Sequence, residues 1–234
     1  MHKKSIYDSS LWDNRNEKIA ILIPSRDVVY SHFTFSLTNI VKTSTQAGLD
    51  IYPLFNSSTI LLNQREYLVK EALDLGADWL FWMDSDMFLP STTLLRLLAH
   101  EEDIVCGNYM KRAAPFKTVA YKDTTDWESW VPLKKYDELV EVDGVGLGCC
   151  LMKADIFRKM EKPWFEFTYK EDSQDWYGED FNMFKSCQKL GYKVYLDMVL
   201  SEQIKHMGTF AFGNRVGENR KKAKYWKDGK KSSK

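Results

Sequence analysis

A chain of 234 residues and 27.4 kDa, 44% hydrophobic and 14% aromatic, can bury a core without disulfide or metal support and is too apolar to be disordered. Thirty-three basic residues balance thirty-three acidic ones, which argues against a wholesale polyanion binder. The balance is uneven: residues 220–234 hold Arg220, Lys221, Lys222, Lys224, Lys227, Lys230, Lys231 and Lys234 against Asp228 alone, so a mildly acidic globule is expected to carry a basic end.

Taken in chain order, residues 18–23 (KIAILI) are a short apolar run ending at Pro24 and read as a buried strand. Over 32–47, Phe33, Leu37, Ile40 and Val41 share one helical face, and Gly48 stops the helix. Residues 50–55 form a second strand, in which Pro53 suggests an edge or an irregularity. A helix over 61–75 closes at Gly76, and 78–83 (DWLFWM) is a wholly apolar third strand. A helix over 90–99 and a strand over 103–106 follow. Strand–helix alternation with near-continuous apolar strands predicts an α/β fold whose mostly parallel central sheet is covered on both faces. In such sheets ligands bind at the carboxyl ends of strands, which directs attention to 24–27, 57–65 and 84–86.

The second half is less regular. Residues 109–132 read as loop, and strands over 138–142 and 148–152 flank the glycines Gly144, Gly146 and Gly148. Helices over 154–160 and 180–190 and a last strand over 192–196 complete the pattern. With no Pro-, Gly- or Ser-rich linker, one domain over 18–216 is expected, with an N-terminal extension over 1–17 and a basic tail over 217–234. No apolar run approaches the ~20 residues that span a bilayer, and residues 1–16 lack the apolar centre of a signal peptide. Cys106, Cys149, Cys150 and Cys187 show no paired spacing and read as buried thiols. A soluble, cytoplasmic protein without a transmembrane segment is expected.

Four constellations could carry chemistry. Asp84-Ser85-Asp86 follows a strand that must be buried, and alternate carboxylates at a strand exit can converge on one hard cation such as Mg²⁺ or Mn²⁺; as a bare triplet it equally describes a turn with an Asp cap. Gly178-Glu179-Asp180 opens a helix, where carboxylates complement the dipole or serve as a rigidly held general base. His206 lies after the last strand, close to the turn residue Gly208. The run 144–148 (GVGLG) imitates a dinucleotide fingerprint but opens no helix, so it reads as backbone closely approaching a ligand or as a tight bend.

In combination these segments resemble the GT-A nucleotide-sugar glycosyltransferases, family 2-like members in particular. The resemblance runs in order over about 18–210: IPSRD at 23–27, the helix start Asn63-Gln64-Arg65, DWLFWMDSDM at 78–87, VDGVGLGCCLMK at 142–153, PWF at 163–165, GEDF at 178–181 and KHMG at 205–208. It implies a single α/β/α GT-A-like domain and a metal-dependent, inverting sugar transfer from a UDP- or GDP-sugar to the hydroxyl of a glycan or other acceptor. It also implies a Mn²⁺ or Mg²⁺ ion held by Asp84, Asp86 and His206. Pro24, Ser25, Arg26 and Asp27, together with Asn63, Arg65, Asp84 and Ser85, would line the nucleotide site. Asp180 would be the catalytic base, with Glu179 its substitute if the register differs by one. No position is clearly the basic residue on the leaving diphosphate; Lys205 and the tail lysines are candidates. A nucleic-acid acceptor is a less favoured use of the basic tail. A nucleotidyltransferase or other nucleotide-sugar enzyme is the rival enzyme reading, but 23–30 lacks the glycines of a phosphate loop; an inactive sugar-nucleotide-binding module is the other.

Overall fold

The computed structural model describes residues 16–112, 116–123, 129–133, 138–171 and 174–209. The expected basic tail and almost all of the N-terminal extension lie outside them. In chain order the elements are β1 (Lys18–Ser25), α1 (Ser31–Gln46), β2 (Asp50–Ser57), α2 (Leu61–Asp74), β3 (Trp79–Met83), β4 (Met87–Phe88), α3 (Thr93–Leu98) and β5 (Ile104–Cys106). They continue as β6 (Leu139–Val142), β7 (Cys149–Lys153), α4 (Asp155–Lys159), β8 (Thr168–Lys170), β9 (Asp175–Tyr177), α5 (Glu179–Lys189), β10 (Val194–Asp197), α6 (Met198–Ser201) and β11 (Lys205–His206).

Seven strands form one sheet in the order β2-β1-β3-β7-β5-β10-β6. The pairs β2–β1, β1–β3 and β5–β10 are parallel, whereas β7 runs antiparallel to both its neighbours and β6 antiparallel to β10. The sheet is therefore mostly parallel, as the apolar strands predict. Pro53 sits on β2 at the sheet edge, where a missing N–H costs no ladder bond on the solvent side.

Alternate residues of the central strands feed two cores. Ala20, Leu22, Leu80 and Trp82 join Leu68 and Ala72 of α2 and Met183, Phe184 and Cys187 of α5 on one face. Ile19, Ile21, Ile23, Phe81 and Met83 join Phe33 and Ile40 of α1 and Leu94 and Leu98 of α3 on the other. Each fully buried large side chain contributes about 1.5–3 kcal/mol, so the two faces together hold the α/β/α sandwich. Helices α1 and α2 end where expected, because Gly48 (φ +90°) and Gly76 (φ +76°) take the left-handed conformation that stops a helix. All four cysteines are buried free thiols. Among the described residues no helix is long and apolar enough to cross a membrane.

Five short elements, β4, β11, the paired strands β8 and β9, and α6, carry no periodic signal of their own. The pairing of β4 with β11 matters most: Met87 lies opposite His206, and Met207 N donates to Asp86 O at 2.7 Å. That pairing ties the end of the described chain to the acidic turn after β3.

Candidate functional site

The carboxyl ends of β1, β3 and β5 lie along one sheet edge, and the loops leaving them meet the approach to β7 and the first turn of α5. Two adjoining cavities open there. A cleft of about 590 Å³ is lined by Pro24, Ser25 and Arg26 from the end of β1, by Gln64 and Arg65 of α2, and by Asp84, Ser85 and Asp86 after β3. A second cavity of about 400 Å³ is lined by Tyr109, Lys111, Gly146, Asp180, Phe181 and His206. Arg112 lines both.

Most of the expected nucleotide-site residues reach the cleft, and two do not. Asp27 and Asn63 are exposed and stand outside its lining. The helix start contributes Gln64 instead: its amide Nε2 reaches the carbonyls of Ser58 (2.9 Å), Asn56 (3.2 Å) and Ser25, fastening the ends of β1 and β2 together. A glutamine beside an arginine at a helix start gives no sequence sign of that task, because its three acceptors come from other elements.

Arg65, expected as a phosphate ligand, is 3% exposed and already committed. Its Nε donates to Glu179 Oε1 at 3.2 Å, its Nη2 lies 3.5 Å from Asp84 Oδ1, and its guanidinium stands 5.3 Å over the Trp82 ring. Burial alone would lower its pKa, but the charges of Asp84, Glu179 and Asp180 outweigh this and hold it protonated. Arg65 Nη1 and Asp84 Oδ1 are buried with no hydrogen-bond partner among the described residues. Burial, opposed by Arg65 and reinforced by Asp86, raises the Asp84 pKa.

Asp86 has a different set of partners. Its Oδ2 is 2.9 Å from Arg112 Nη1 and 3.4 Å from His206 Nε2. Burial pushes its pKa up, yet the hydrogen bond and charge of His206 and the charge of Arg112 hold it below the usual carboxylate range. His206 Nδ1 is 2.9 Å from the Met110 carbonyl, an acceptor only, so Nδ1 carries a proton and Nε2 is the nitrogen that faces Asp86.

Among the described residues no three His, Cys, Asp or Glu side chains converge as a metal-binding group. Asp86 with His206 nevertheless forms an oxygen–nitrogen pair, with the orphaned Asp84 Oδ1 in the same turn. A pair of this kind fits a hard divalent cation that takes its remaining ligands from phosphates and water. Of the two acidic residues opening α5, Glu179 is 7% exposed and tied to Arg65, whereas Asp180 lines the second cavity. Burial first, and then the Glu179 charge, push the Asp180 pKa up to about 7 against the opposing pull of Arg65. Lys205 lies over the Phe88 ring and lines neither cavity.

The glycine run serves a side chain. Tyr109, 5% exposed, accepts a hydrogen bond from Gly148 N at 3.0 Å. A Cβ built on Gly146 or Gly148 would stand 2.5 Å or 2.6 Å from the Tyr109 hydroxyl. Neither expected reading, a close approach to a ligand or a bare bend, anticipated this role. Gly146→Ala is expected to cost about 1–3 kcal/mol through overpacking, read as a melting temperature lower by several degrees.

No family model matches this chain, and no curated protein sequence does either. Among solved structures the chain is similar to A197 from STIV, with a TM-score of 0.51 and 16% identity over 84% of this chain and 97% of that one. It also aligns with a glycosyltransferase involved in glycosylation of the major capsid of PBCV-1, with a TM-score of 0.36 and 13% identity over 62% and 69% of the two chains. A third alignment is with a mutant Drosophila β1,4-galactosyltransferase 7 in complex with manganese, UDP-Gal and xylobiose, with a TM-score of 0.48 and 14% identity over 82% and 71%. At these identities the likeness speaks for fold alone, and the first match carries it across nearly the whole of its partner. The chain has an α/β/α fold with a mostly parallel central sheet, which it shares with A197.

Proposed function

We propose that the protein is a glycosyltransferase that moves a sugar from a nucleotide-sugar bound in the cleft to an acceptor hydroxyl placed in the second cavity. The observation that carries this reading is the pair of adjoining cavities at the strand ends, one holding Asp84 and Asp86 and the other Asp180, with Arg112 common to both. A transfer reaction needs two substrates side by side, with a group that takes a proton on the acceptor side.

The ends of β1 and β2 receive the nucleoside, and the diphosphate lies towards Asp86. Asp86 and His206 would hold a Mn²⁺ or Mg²⁺ ion, assisted by Asp84, and the ion would neutralise charge on the departing diphosphate. Asp180 removes the proton of the acceptor hydroxyl as its oxygen attacks the anomeric carbon. The new carbon–oxygen bond forms on the face opposite the departing diphosphate, so the configuration inverts. Glu179 keeps Arg65 charged beneath the cleft instead of acting as the base.

The pKa of Asp180 gives this reading a pH signature. The base works only when ionised, and its pKa lies near 7, so turnover is expected to rise from about pH 6 to a plateau near pH 8 and to vanish in acid. The founding experiment is a donor screen with Mn²⁺ and each common UDP- and GDP-sugar, following release of nucleoside diphosphate and the anomeric configuration of any product by NMR. Slow release from at least one donor is expected. Release from none overturns the reading.

A further inference from the structure

Arg112 is the one side chain among the described residues to line both cavities. It follows β5 and is half exposed, and both its anchors lie on one guanidinium nitrogen. Nη1 lies 2.9 Å from Asp86 Oδ2 and donates to Met207 O at 3.0 Å. Nε and Nη2 form no bond among the described residues, which leaves an N–H edge of the planar fork unspent beside the acidic turn. The anchors come from separate elements, the turn after β3 and the segment after β11, so the fork is held in place from two sides. Arg65, by contrast, is buried and committed to Glu179 and Asp84.

An arginine with one edge anchored and the other free matches the geometry of two phosphate oxygens. Of the arginines lining the cleft, Arg65 is offset by Glu179 and Asp84 and Arg112 meets Asp86 through Nη1 alone, while Arg26 forms no ion pair among the described residues. Arg26 and the open edge of Arg112 can therefore meet an anion without a metal ion in place. Building on the assignment of the cleft as a nucleotide-sugar site, we infer that Arg112 is a phosphate-binding residue at the junction of the two cavities, and that through it the cleft binds a nucleoside diphosphate without a divalent cation. The cation then adds to a hold that the protein already provides.

Calorimetry with UDP, GDP and inorganic pyrophosphate, in EDTA and again with Mn²⁺, tests this on the full chain and on Arg112→Gln, whose melting temperature should match that of the unchanged protein because the side chain is half exposed. In EDTA the unchanged protein should bind at least one nucleoside diphosphate, and Arg112→Gln should weaken that binding at least tenfold. Pyrophosphate should lose affinity in parallel, and uridine or guanosine should lose none. Equal diphosphate affinity in Arg112→Gln, or binding that occurs only with Mn²⁺, overturns the inference and leaves the glycosyltransferase reading standing. If no nucleoside diphosphate binds under either condition, both fall.

Discussion

Asp180→Asn is expected to lower sugar transfer by roughly 10²–10⁴, the usual worth of a general base, while nucleotide affinity stays within a factor of about two. Asn keeps the size of the side chain and can still accept from Phe181 N, the bond that Asp180 Oδ1 makes at 2.8 Å. It cannot take a proton. The fold should not suffer. The folded pKa is raised above the ordinary carboxylate value, so this group favours the fold below about pH 4 and loses that contribution as pH rises through about 7. Asparagine carries no charge to desolvate, so the variant should melt at or above the unchanged protein at pH 8. Loss of transfer with undiminished melting temperature, and loss of the acid limb of the pH profile, are the results to look for. Near-normal turnover would pass the role to Glu179 or to a retaining mechanism, which product configuration would separate.

Arg65→Met should produce the largest loss of stability, about 3–5 kcal/mol, the range for breaking a buried ion pair from one side. Glu179 would be left at 7% exposure with no cation, and Asp84 would lose the charge that opposes its desolvation. Adding Glu179→Gln to Arg65→Met should recover part of the loss, because the stranded charge is then gone. Urea unfolding of both single variants and the double variant measures this as a double-mutant cycle. Additive losses would show that Arg65 and Glu179 do not act as a pair. Asp180 gives a second readout: Arg65 pulls its pKa down, so in Arg65→Met the acid limb of turnover should move to higher pH.

The central fold is legible because it rests on short-range signals. Strands β1 and β3 are buried on both faces and so are apolar at nearly every position, and α1 and α2 end at glycines that alone take positive φ without strain. The elements with no periodic signal, β4, β8, β9 and β11, span three residues or fewer, too few to show a period, and they exist because a partner strand supplies their hydrogen bonds. The site divides in the same way. Asp84, Ser85, Asp86 and Asp180 stand at strand or helix ends, which the sequence marks out as positions open to a cavity. Their electrostatic states depend on neighbours far along the chain: Arg65 and Glu179 are 114 residues apart, and Arg112 reaches Asp86 and Met207 from a loop with no motif.

By itself the sequence determined an α/β chain with a mostly parallel sheet and acidic residues gathered at its carboxyl edge, because burial of both strand faces and glycine stops are local constraints on residue type. Only the tertiary structure decided that Arg65 is a buried counter-ion, that Gly146 and Gly148 make room for Tyr109, that His206 comes beside Asp86 through the β4–β11 pairing, and that Arg112 stands between two cavities. Each of those outcomes is a long-range contact, and a side chain's partner is chosen by how the layers pack, which no stretch of neighbouring residues encodes.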